Sequence, residues 1–216
     1  MPAKHYKQLF KIIGDSKLLK LQITVLFITT YIDWVLMPFL TKFEGIYLPV
    51  YMISFFMLIG ASDGLLQPLF KKVKIYRIYL FVIILDLIQI ISYLLIEIDA
   101  LIFTYTMLSI FTFQAITFEV SRIHTIDFMK DEVDIKEYLM LRSFVVSSAI
   151  IAGAISAMIL DYFAVDLKYV LLGLAIFGFL AVISEYKLYL KFKRIIQIED
   201  TVIERQKTLL SEKINV

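Results

Sequence analysis

Apolar runs of about twenty residues recur along this chain, and the breaks between them carry most of its charge. Six runs predict six membrane-crossing helices: Leu21 to Leu40, Ile46 to Phe70, Ile75 to Ile96, Ala100 to Ser121, Ser143 to Phe163 and Leu167 to Tyr186. Each is close to the roughly 20 residues that cross about 30 Å of hydrocarbon. Ahead of them, Lys4, Lys7, Lys11, Lys17 and Lys20 alternate with Leu9, Phe10, Ile12 and Ile13, the pattern of a basic interfacial helix. This segment is expected to be retained, because the apolar run behind it holds Asp33 and Trp34 and lacks a small-residue cleavage site. From Lys187 onward, Leu188/Tyr189, Ile195/Ile196, Val202/Ile203 and Leu209/Leu210 recur every seven residues between charges, which predicts an amphipathic helix. A membrane-surface helix and a weak coiled coil both fit that narrow stripe. The expected organisation is an interfacial segment (1–20), a membrane domain (21–186) and a helical tail (187–216).

The stretch from Phe111 to Ala157 passes from an apolar helix through a charged segment, Arg122 to Arg142, and back into an apolar helix with small residues at fixed spacing. Ser148, Ala152 and Ser156 make one row and Ala149, Gly153 and Ala157 the next, so this helix offers a groove where another backbone can approach closely.

Composition fits an all-α integral membrane protein. Hydrophobic residues make up 60% of the chain and charged residues 19%, whereas soluble domains run near half apolar and a quarter charged. Twenty of the 22 Lys/Arg fall on one side of the six spans and only Lys42 and Lys168 on the other, which predicts cytoplasmic termini in a cell (inner or plasma) membrane. With no cysteine, and with His5 and His124 far apart, neither a thiolate metal site nor a histidine cluster is expected. Catalytic motifs, cofactor-binding glycine loops and nucleic-acid partners are not expected either. The chain does not read as an enzyme.

Several segments carry a family resemblance. Gly64 followed by Lys71-Lys72-Val73-Lys74 looks like the signature loop between helices two and three of major facilitator superfamily transporters, with Gln67 or Pro68 at the usual aspartate position and Asp63 as a substitute. The run Phe118-Glu119-Val120-Ser121-Arg122 through Asp127-Phe128-Met129 to Arg142-Ser143 is similar to that family's connection between helices four and five. Ala149 to Ala157 is similar to the small-residue motif of helix five in its exporters, without the proline. The resemblance implies six helices arranged as the N-terminal half of such a transporter. It also implies a cytoplasmic gate built from Asp63, Lys71, Lys72, Glu119 and Arg122, and a partner, since a full transporter has two six-helix halves. A homodimer is the expected assembly, with a separately encoded second half as the alternative.

Ionisable residues inside the spans are the strongest functional clue, because each is costly in hydrocarbon unless it faces protein or water. Asp33 lies past the midpoint of the first span, followed by Trp34 and Pro38; Asp86 lies near the middle of the third, one turn from Gln89. Paired carboxylates facing one cavity could bind a cation or relay protons. The plain alternatives are that Asp33 caps a helix broken near Pro38, and that Asp86 makes a structural hydrogen bond. The expected pathway comprises Asp33, Trp34, Asp86, Gln89 and Gln114. Two functions remain open: an exporter-like transporter of a small organic or amphipathic solute, proton-coupled through these acids, or a non-transporting accessory, regulatory or immunity protein that binds another membrane protein. Surrounding membrane lipids are partners in either case. A shared aqueous cleft at Asp33 and Asp86 would favour the first, and acids buried against helices the second.

Overall fold

The computed structural model describes residues 17–44, 73–97, 100–129 and 134–214. They form five α-helices: α1 (Lys17–Glu44), α2 (Ile75–Ser92), α3 (Ala100–Met129), α4 (Ile135–Tyr162) and α5 (Leu167–Ile214), with a 3-10 turn, Tyr93–Glu97, extending α2. Among the described residues, α1, α2, α4 and α5 contain stretches long and apolar enough to cross a bilayer. Helix is the only single-segment solution for such sequences, because hydrocarbon offers the backbone no other hydrogen-bond partner. The protein is therefore all-helical among the described residues and membrane-embedded. The expected second span, with Asp63, Lys71 and Lys72 at its end, lies outside the described residues.

Local chemistry sets the helix ends. Asp134 caps α4 by accepting from the Lys136 backbone N–H at 2.9 Å, and Asp166 does the same for Lys168 at the start of α5. Between α4 and α5 the chain reverses through Ala164, whose φ of 49° is left-handed. Lys168 at that turn forms an ion pair with Glu97 at the end of the 3-10 turn. Helix α1 runs through Pro38, so Asp33 lies inside a helix and caps nothing. Helix α5 is 48 residues long and continuous, so the sixth expected span and the expected helical tail lie on one helix.

Helix α1 packs against α4 and α5, and α2 against α3 and α5. The small-residue row forms the α1–α4 contact: Ala149, Gly153 and Ala157 are buried, and the neighbouring row adds a 3.0 Å hydrogen bond from the Tyr31 hydroxyl to Ser156 Oγ. That groove is thus occupied within the chain by α1. Burial is concentrated at two levels of the bundle. Near the Tyr93 end, Leu36, Leu40, Phe103, Met107 and Leu171 make a large apolar cluster. Near the Ile75 end, Val25, Tyr79, Leu188 and Phe192 make a smaller one, with the Tyr79 and Phe192 rings stacked at 5.3 Å.

Candidate functional site: a carboxyl and amide layer between two apolar clusters

Between these clusters each of α1, α2, α3 and α5 contributes polar side chains to one layer. Asp86 and Gln89 come from the same face of α2, as expected for residues three apart, and are 3% and 5% exposed. Gln114 of α3 bridges them: its Nε2 donates to Asp86 Oδ1 at 2.6 Å and to Gln89 Oε1 at 2.7 Å. Asp33 of α1 and Tyr93 of the 3-10 turn both approach the Gln89 amide, and Asp33 lies near enough to Asp86 for their charges to interact. From α5, Glu185 meets Asp86 carboxyl to carboxyl.

The layer is under-supplied with donors. Neither oxygen of Glu185 receives a hydrogen bond from a described residue, although the side chain is fully buried, and Gln114 Oε1 is likewise unpartnered. Gln89 Nε2 points into the layer but stays outside hydrogen-bond geometry of any described acceptor. No cationic side chain among the described residues pairs with any of the three acids. Buried polar groups are ordinarily satisfied, so these atoms call for a proton or a further hydrogen-bond partner. The hydroxyls nearby behave differently. Thr29, Ser92 and Thr117 each bond the carbonyl four residues back in their own helix and ask nothing of the layer.

Four of the five expected pathway residues, Asp33, Asp86, Gln89 and Gln114, are brought together. Trp34 stands apart: it is 39% exposed, and its backbone and Cβ lie against Gly153 of α4. Consecutive helical residues point about 100° apart, so it cannot share the direction of Asp33. Of the expected gate, Glu119 and Arg122 lie on α3 with their side chains outside the described set, and Asp63, Lys71 and Lys72 are outside it altogether. Glu185 was missed. It adjoins Tyr186 and Lys187 and so resembles a residue at a membrane surface. The stripe Leu174, Ala181, Glu185, Leu188, Phe192 gave the signal, since its steps of three, four and seven keep all five on one helix face, and all five are buried.

Three carboxyls, two amides and a phenol, gathered by four α-helices and the 3-10 turn and bounded by apolar clusters above and below, define an ionisable site inside a membrane-embedded helical bundle. Comparison with family models, curated proteins and solved structures finds no match for this chain.

Proposed function

We propose that this chain is a half-size, proton-coupled membrane transporter, assembled as a homodimer, with Asp86 and Glu185 as the proton-carrying pair and Asp33 as the acid that exchanges with them. The carboxyl-to-carboxyl contact carries the reading. Like charges held together in a low dielectric cannot both persist, and a single proton turns the contact into a hydrogen bond that supplies Glu185 with a partner. Gln89 and Gln114 suit a relay, because an amide can donate to an acid while it is ionised and accept from it once protonated. The apolar clusters on either side keep water from both ends at once, the condition under which a proton moves with a cargo rather than leaking. The six apolar runs and the motif likenesses support a half-bundle of major-facilitator type, and the positive-inside charge distribution supports cytoplasmic termini. The second reading, a non-transporting membrane partner protein, has the burial criterion on its side: among the described residues Asp86 and Glu185 are buried and Asp33 half-buried against helices, so the transport reading rests on the carboxyl-to-carboxyl contact instead.

Infrared difference spectra of the purified protein in lipid, taken across a pH jump, test the proposal without knowledge of the cargo. The expected result is a protonated-carboxyl band that titrates in the wild type and is lost in both Asp86→Asn and Glu185→Gln, with helix content unchanged. A wild type with no titrating band, or one insensitive to both substitutions, overturns the proton role and leaves the second reading. Native mass measurement of the same preparation is expected to give two chains, and a stable monomer in native-like lipid defeats the dimer.

A further inference from the structure

Between the 3-10 turn and the start of α5 lies a cavity of about 390 Å³, within the size range of small-molecule sites. Its walls are apolar, with Ile90, Leu171, Ala175 and Phe179 among them, and its charged groups are Glu97 and Lys168. Those two form an exposed ion pair, of a kind that contributes little to stability and opens at little cost. Tyr93 lines the cavity and also approaches Gln89 and Asp33, so its side chain borders both the apolar cavity and the carboxyl layer.

We infer that this cavity binds a zwitterionic phospholipid, with an acyl chain along Ile90, Leu171 and Ala175, the ammonium group at Glu97 and the phosphate at Lys168. Charge complementarity selects this occupant. A ligand bearing one charge leaves either Glu97 or Lys168 without a partner when the pair opens, whereas an ammonium and a phosphate a few bonds apart satisfy both. An uncharged apolar solute would fill the cavity but make no use of the pair. The inference rests on the transport reading in one respect only: it names the cargo class, an amphiphile entering sideways from the bilayer, for the proton site behind Tyr93.

Native mass spectrometry of the full chain in mild detergent, titrated with phosphatidylethanolamine or phosphatidylglycerol of identical acyl chains, tests it. One phosphatidylethanolamine is expected to be retained per chain, about tenfold more tightly than phosphatidylglycerol, the difference expected for one charge-assisted contact. Ala175→Trp should abolish retention by filling the cavity. Should that variant not fold, Glu97→Gln/Lys168→Gln, which touches only the exposed pair, should keep a lipid but erase the roughly tenfold preference. Equal affinity for the two lipids in the wild type, or a preference that survives the double substitution, overturns the inference. The carboxyl band of the infrared experiment does not depend on this outcome, so a lipid failure and a proton failure are separable.

Discussion

Gly153 offers the sharpest test of how the bundle is held. A Cβ placed there would lie 2.9 Å from Trp34 Cβ and 3.0 Å from the Tyr31 carbonyl oxygen. Both atoms are fixed by the α1 backbone and cannot swing aside, so Gly153→Ala must push α1 and α4 apart or distort one of them. Overpacking of this kind costs about 1–3 kcal/mol. A bare Gly→Ala comparison would understate it, because alanine is the better helix former by up to about 1 kcal/mol. Gly173→Ala supplies the control: it lies in α5 with nothing within 4 Å of its added Cβ, so it gains the propensity without the clash. Subtracting the two isolates the close approach, and Gly153→Ala should be the less stable by about 1–3 kcal/mol. Gly178→Ala should fall between them, because its new methyl meets only side-chain atoms, Ile90 Cγ1 at 2.9 Å and Cδ1 at 3.1 Å, and no backbone. Helix content followed through an SDS titration of the protein in micelles measures all three. A Gly153→Ala variant as stable as Gly173→Ala would refute the close-packed α1–α4 seam.

The remaining predictions concern the site, its cargo and its orientation. Asp86→Asn and Glu185→Gln should each remove the titrating carboxyl band, and the purified wild type should weigh as two chains. Filling the cavity with Ala175→Trp should end phosphatidylethanolamine retention. Reporter fusions at Lys74, Lys136 and the C-terminus should give a cytoplasmic signal and fusions at Glu44, Asp99 and Asp166 an outside one, with a cytoplasmic signal at Asp99 sinking the six-span topology.

Much of the site was legible because helical spacing is a local property. Asp86 and Gln89 are three apart, and an acid and an amide in the middle of an apolar run have few tolerable surroundings, so their burial followed from position alone. The pairing with Gln114 and Asp33 depends on which helices are neighbours, and no local pattern encodes that. Glu185 shows the limit from the other side. Its immediate neighbours, Tyr186 and Lys187, are those of an interfacial residue, and only the longer stripe from Leu174 to Phe192 shows that the buried face continues past them. Trp34 turns away from the layer because consecutive helical residues point about 100° apart, which its place beside Asp33 in the sequence does not convey. The small residues of α4 were read correctly as a surface for close approach, but composition could not say that the approaching backbone would be α1 of the same chain.

Helix α5 has a mechanical consequence. At about 1.5 Å per residue its 48 residues span about 72 Å, more than twice the hydrocarbon thickness of a bilayer. Glu185 sits partway along this rod, with about 44 Å of helix between it and Ile214. A tilt of about 10° pivoting at Glu185 would carry the Ile214 end sideways by about 8 Å, a displacement far larger than the side-chain shift that making or breaking one carboxyl contact requires. Held as one continuous rod, α5 would therefore act as a lever, turning a small tilt at the buried layer into a displacement of several ångströms at Ile214.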